Sequence, residues 1–246
     1  MRHCAEVEIA EVLHQLGPRA SASHETAARL WGIELLEDGR ERVTVPAQRS
    51  RVNVPGWRVR RLDLGAHEVV VVDGLRRTVP LRTVLDLAQV LPLREAVVAA
   101  DSALRQQLVT LEQLVATLGS RRGRAASGPR AVLPLVDPLS GSVLETLLRL
   151  LLHLVLPAPR TQYEVRDRRG LLVARVDFCW PERRLVVEAD GFAFHSDRAA
   201  YRRDRERLNE LERLGWRVLR FTWEDVVGRP EQVLALVRDC YGLQAA

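Results

Sequence analysis

The apolar and polar positions change period along the chain, and each change marks an element. Val7, Ile9, Ala10, Leu13 and Leu16 fall near helical spacing and stop at Gly17-Pro18, which predicts a helix over 5–16. Ser23 is a candidate cap for a second helix with Glu25 in its first turn and Gly32 at its end. His24 reads there as a solvated helix-start residue, because no second His or Cys stands at ligand spacing. From Glu41 the period drops to two. Residues 42–45, 57–62 and 68–72 read as strands of a small antiparallel sheet. Helical spacing returns over 81–91, 93–108 and 111–118, the last opened by Thr110 and Gln113 in a capping box. Asp86 and Asp101 fall in these helices, where capping, ion pairing or solvation is the expected role. Residues 119–130 mix Arg121, Arg122, Arg124 and Arg130 with Gly, Ser, Ala and Pro and read as a flexible basic linker. It is a solvated tether or, since neutralising phosphates needs only charge and reach, a contact for a DNA backbone.

The second half alternates differently. A strong helix over 142–156 opens with Ser142 and Glu145 in capping-box positions. Strands follow at 162–165, 175–180 and 185–191, then a helix at 196–214, a strand at 216–221 and a helix at 230–241. The predicted organisation is α+β over 1–119, a linker over 120–139, and an α/β domain over 140–246 ordered helix, three strands, helix, strand, helix. Folding the hairpin about Pro181 to Arg184 with Trp180 opposite Leu185 sets Asp177 opposite Glu188 and Arg175 opposite Asp190. Ala174, Val176, Phe178, Trp180, Leu185, Val187 and Ala189 make a core face, while Asp177, Glu188, Asp190 and Cys179 share the other. Carboxylates directly across a strand pair sit about 5 Å apart at Cβ and repel unless a proton or a cation intervenes. A metal is the leading expectation, and a hydrated acidic patch balanced by Arg175 and helix arginines is the bland one. Glu145 is equally well read as a cap or as a carboxylate reaching the same metal. His195 is either a surface residue or a general acid or base. Asp204 points inward, with Arg207 or His195 as its partner. Cys179, lacking an activating neighbour, reads as a small buried residue.

Composition narrows this little. The 246 residues are 47% hydrophobic, enough for a real core. The longest apolar run, 143–156, is broken by Glu145, Arg149 and His153, so no membrane span is expected, and cytoplasm is the default. Three scattered cysteines suit neither a disulfide framework nor a structural zinc site. The net charge of +5 permits an acidic partner such as DNA. All 37 basic residues are Arg, so no mechanism can use a catalytic lysine.

The run Ser23-His24-Glu25-Thr26-Ala27-Ala28-Arg29-Leu30-Trp31-Gly32, with Arg82-Thr83-Val84-Leu85-Asp86-Leu87-Ala88 and Ala99-Ala100-Asp101-Ser102-Ala103-Leu104, resembles proteins related to the AbiEi-type antitoxins. In those proteins the region follows an N-terminal winged helix, for which this chain leaves no room, so promoter binding does not carry over. A toxin-like protein partner for the first half is one implication. Arg175-Val176-Asp177-Phe178, Val187-Glu188-Ala189-Asp190-Gly191, His195, Arg203 to Leu208 and Gly215 to Phe221 resemble the PD-(D/E)XK nuclease superfamily, in its branch related to very-short-patch-repair endonucleases. The resemblance covers about 140–240 and implies a restriction-endonuclease-like αβββαβ core that hydrolyses DNA phosphodiesters in repair or defence. It also implies Mg²⁺ or Mn²⁺ on Asp177 and Glu188, Glu145 as the helix-borne acid and His195 near the reacting phosphate. Where that superfamily ends Glu-X-Lys, this chain ends Glu188-Ala189-Asp190. Asp190 is left to bind a second metal, pair with Arg175 or orient His195, and Arg207 or Arg220 to assist the phosphate. The competing expectation is a non-catalytic DNA-binding regulator or antitoxin-like protein built on a nuclease fold.

Overall fold

The computed structural model describes residues 2–36, 41–120, 124–191 and 198–242. They divide into two compact units, Met1–Pro138 and Leu139–Ala246.

The first unit runs α1 (Arg2–Leu16), β1 (Ser21–Ala22), α2 (His24–Trp31), β2 (Glu41–Val45), β3 (Trp57–Arg61), β4 (Val69–Val72), β5 (Leu75–Thr78), α3 (Pro80–Val90), α4 (Leu93–Arg105), α5 (Leu111–Ser120) and α6 (Arg124–Val132). Its sheet has the order β3-β2-β1-β5-β4 and is mixed rather than antiparallel, with β2 parallel to β3 and β1 parallel to β5. Period two reports burial, not strand direction, so the pattern had no means of showing this. Residues 46–56 carry the chain back before β3 starts. Asp73 and Gly74, both left-handed (φ 51° and 76°), close the β4–β5 hairpin. Ile9, Leu13 and Leu16 of α1 form one core with Val43, Val45 and Trp57 of the sheet.

Two further expectations for this unit are corrected. His24 is not solvated: it is 1% exposed, with φ 51°. Its Nδ1 lies 3.0 Å from Ser23 Oγ and its Nε2 3.1 Å from Arg60 Nη1. Burial first, then the charges of Arg42 and Arg60, lower its pKa to about 3, so the ring stays neutral. Ser23 Oγ also accepts from Thr44 Oγ1 at 2.9 Å and makes no cap bond to α2. The second correction concerns the linker. Residues 124–132 are helix α6, which packs on α3, and Pro129 and Val132 are buried. Loop-like composition hid a packing requirement. A Cβ on Gly128 would collide with the Ala88 carbonyl oxygen of α3, so this glycine lets two backbones touch. Arg121 and Arg122 lie outside the described residues, as does the Arg124 side chain, and Arg130 is exposed. Gly128→Ala is expected to lower stability by roughly 1–3 kcal/mol, the range for overpacking. A urea midpoint equal to that of the wild type would contradict the close α3–α6 contact.

Other helix polar groups find partners. Asp86 Oδ2 accepts from Arg82 Nε at 2.9 Å, and Asp101 Oδ1 from the Asp137 N–H at 2.8 Å. Thr110 and Gln113 exchange both capping-box bonds.

The second unit runs α7 (Val143–Leu152), β6 (Arg160–Arg166), β7 (Leu172–Trp180), β8 (Leu185–Ala189), α8 (Arg198–Arg213), β9 (Arg217–Phe221) and α9 (Pro230–Tyr241). The sheet order is β6-β7-β8-β9, antiparallel except for the parallel β8–β9 pair that α8 connects. Trp180 pairs with Leu185, Cys179 with Val186 and Phe178 with Val187. The turn between them is a short 3₁₀ segment, Pro181–Arg183, closed by left-handed Arg184 at φ 48°. Helices cover both faces. Trp180 is buried, donates to the Pro157 carbonyl at 2.9 Å and meets Tyr241 of α9 edge-on at 5.7 Å. Cys179 and Val186 pack with Leu211 of α8. The hairpin face expected to be acidic is therefore half core, with Cys179 buried as read, and its carboxylates are Asp177 within β7 and Glu188 near the end of β8. Burial pushes the Cys179 thiol up to about 12, which keeps it protonated and inert.

Candidate active site

The carboxylates gather where β6 starts, β8 ends and α7 begins. Ala174, Val176 and Cys179 belong to one core cluster, so strict alternation breaks between Val176 and Cys179, at Asp177. Across from it, between the pairs Thr161↔Phe178 and Tyr163↔Val176, Gln162 holds a left-handed backbone with φ 48°. A non-glycine residue there carries local strain of about 1–3 kcal/mol, of the kind that collects at functional sites. The kink aims the Gln162 amide between two acids. Its Nε2 donates to Glu145 Oε2 at 3.0 Å and to Asp177 Oδ1 at 3.3 Å. The other Asp177 oxygen accepts from the Ala189 N–H at 2.9 Å. Glu145 keeps its structural duty as well: its N–H donates to Ser142 Oγ at 3.1 Å, and its Oε2 accepts from the Gly141 N–H at 2.7 Å.

Burial pushes the Asp177 carboxyl up to about 6, and the charges of Glu145 and Glu188 push the same way. The Ala189 N–H and the Gln162 amide pull against them. Among the described residues, neither Asp177 nor Glu145 has a cationic partner. Gln162→Ala removes one of the two donors, so the Asp177 titration is expected to move above about 6, followed by NMR of the side-chain carboxyl. An unmoved midpoint would show that the amide does not act on Asp177.

Glu188 is placed otherwise. It is 6% exposed, and both its oxygens are held by arginines. Arg207 of α8 reaches Oε1 and Oε2 at 2.6 and 2.9 Å, and Arg220 Nε of β9 reaches Oε2 at 3.1 Å. The same arginines hold Asp204: Arg220 at 2.7 and 2.8 Å and Arg207 at 3.0 Å. Hydrogen bonds from Arg220, and then Arg207, bring Asp204 down to about 2, and both guanidiniums are correspondingly raised. The result is two acids and two arginines locked together beside a second pair of acids left uncompensated. Asp190 lies just past β8, exposed, with its N–H on the Phe221 carbonyl at 2.8 Å. Its expected ion pair with Arg175 is not formed among the described residues: the β7–β8 ladder ends at Phe178↔Val187, and Arg175 stands opposite Glu164 only in the β6–β7 strand register. His195 lies outside the described residues.

Gln162 escaped the sequence reading because nothing in its neighbours announces a left-handed residue inside a strand. The clamp was half visible: Arg207 stands three residues from Asp204, whereas Arg220 meets Glu188 only through the parallel β8–β9 register. A cleft of about 790 Å³ lined by Arg166, Arg168, Arg184 and Arg213 lies at the opposite end of the sheet. It contains none of these acids.

Among the described residues no three His, Cys, Asp or Glu side chains group closely enough to hold a metal ion by themselves. Two carboxylates suffice for Mg²⁺, which keeps several waters and takes further oxygens from a substrate phosphate. Asp177 and Glu145 fit that requirement, since the Gln162 amide between them occupies a place where positive charge is favoured. Residues 159–240 match the restriction-endonuclease-like family model REase_MTES_1575, which supports a nuclease-like domain. The chain is also similar to the uncharacterized proteins MT2308 and Rv2248 of two Mycobacterium tuberculosis strains, each 31% identical over 226 residues, covering 90% of this chain and 81% of theirs. No solved structure matches the chain. No helix among the described residues is long and apolar enough to cross a membrane.

Proposed function

This chain belongs to the family of those two mycobacterial proteins, and we propose that its second unit is a divalent-metal-dependent nuclease that hydrolyses phosphodiesters in DNA. The observation that carries the reading is Asp177, a buried carboxyl raised to about 6 and bridged to Glu145 by the Gln162 amide, with no basic side chain on either acid among the described residues. When bound, Mg²⁺ or Mn²⁺ supplies an activated water and neutralises charge on the phosphodiester. Asp177 and Glu145 would hold it, while the Ala189 N–H fixes the orientation of the Asp177 carboxylate. Glu188, expected as the second ligand, instead sets Arg207 and Arg220 beside the site, where they attract the substrate phosphate. His195 serves as the general acid or base in a chain that has no lysine to position the attacking water. Asp190, exposed at the rim, is free to take a second ion. The finer assignment is to the very-short-patch-repair branch for this unit, with a cytoplasmic role in repair or defence, and to an AbiEi-like region for the first unit, where a toxin-like protein partner belongs.

A second reading rests on one observation: Glu188 is fully engaged by arginines, which suits a nuclease fold that binds DNA without cutting it. Calorimetry separates the two. Mn²⁺ affinity is expected to rise about tenfold per pH unit below 6 and to level above it, as one proton leaves Asp177. No Mn²⁺ uptake between pH 6 and 8 would favour the non-cutting reading.

A further inference from the structure

The arginines of the first unit fall into two groups. Several are matched: Arg29 with Glu41, Arg42 with Glu25, Arg82 with Glu68 and Asp86, Arg105 with Glu34. Residues 46–62 are different. They hold Arg49, Arg51, Arg58, Arg60 and Arg61 and not one Asp or Glu. Among the described residues none of the five makes an ion pair, and all but half-buried Arg49 are exposed. Among the described residues the Arg60 guanidinium has a hydrogen-bond partner in His24, which is neutral, and Arg61 in the Arg49 carbonyl. Three of these arginines lie on β3, the edge strand of the sheet, which has a neighbour on one side alone. Arg58 stands opposite Arg42 in the parallel register, with Arg60 two residues on, about 7 Å further along the same face. Burial and the charges of Arg58 and Arg60 lower Arg42 against its partner Glu25, so the repulsion is felt inside the unit.

We infer that β3 and the loop leading into it form a phosphate-contacting surface for duplex DNA, a second site distinct from the carboxylates of the other unit. A row of uncompensated guanidiniums along an extended strand suits a ligand whose negative charges repeat at close intervals, as those of DNA do every 1.7 Å of axis. It suits an isolated anion poorly, because the arginines line an edge rather than a pocket. Guanidinium donors also match phosphate oxygens two at a time. The site deepens the reading of the chain as a DNA-acting protein, yet it requires neither metal nor cleavage.

The test is fluorescence anisotropy of the full chain with a labelled duplex of arbitrary sequence, in EDTA, over a range of NaCl. Arg51→Gln/Arg58→Gln avoids the His24 contact, and Arg58→Gln/Arg60→Gln includes it. Each pair is expected to weaken binding roughly tenfold or more at 0.1 M salt and to reduce the slope of log K against log salt by about 2. Arg105→Gln, which removes an arginine already neutralised by Glu34, is expected to leave the slope unchanged. Both double variants matching the wild type in affinity and slope would overturn the proposal and leave these arginines only the task of keeping the sheet edge from pairing. A wild-type chain that binds no duplex would also overturn it. Binding that persists in a chain unable to cut would remove the nuclease reading alone.

Discussion

In a cleavage assay with Mg²⁺ or Mn²⁺, Asp177→Asn is expected to lose about a thousandfold in rate or more, the scale of several kcal/mol that a bound ion contributes. The same change is expected to stabilise the metal-free protein at neutral pH. Asp177 has a folded pKa near 6, above the unfolded value of about 3.9. Below about pH 4 the carboxyl is protonated in both states. Between about 4 and 6 the unfolded chain gives up the proton while the folded one keeps it, so stability falls as pH rises, by about 2–3 kcal/mol in all. Asparagine keeps the acceptor for the Ala189 N–H and removes the slope. Urea denaturation in EDTA at pH 4, 5, 6 and 7 measures this. A wild-type stability that is flat or rising over the window, or a variant with the same slope, would contradict the account.

The second large effect is on the clamp. Arg220→Met strips Asp204 of two hydrogen bonds and leaves buried Glu188 to Arg207 alone. Leaving a buried charge short of its partner costs about 3–5 kcal/mol. Arg220 keeps 29% side-chain exposure, so solvent screening reduces the expectation to about 2–3 kcal/mol. Glu188→Gln/Arg220→Met is expected to recover part of that loss, because the stranded charge goes with its partner. A double variant as unstable as the sum of the two singles would show that Glu188 and Arg220 do not act as a pair.

How much of this was legible in the sequence depended on whether the cause was local. The hairpin register was legible, because Pro181 and the Trp180–Leu185 pair pin the turn and a strand pair keeps its sum of residue numbers. The burial of Cys179 on the second face was legible too, but not its cover, since Leu211 comes from α8, far along the chain. Asp177 stood out as an acid with an acid across from it. Its closest companions, Glu145 through Gln162 and the Ala189 N–H, come from a kinked strand and a helix start that no spacing rule joins. Glu188 was legible as an acid that helix arginines could balance, and Arg207 does so; its burial and its second partner, Arg220 of β9, were not legible. The Gly128 segment misled because a glycine that permits close helix packing is compositionally the same as one that loosens a linker.

The most direct measurement is incubation of the purified chain with supercoiled and linear duplex DNA in Mg²⁺, in Mn²⁺ and in EDTA, beside Asp177→Asn. Nicked or linear products are expected from the wild type with either ion, none in EDTA and none from the variant. Products that persist in EDTA, or equally with Asp177→Asn, would contradict metal-dependent cleavage at Asp177.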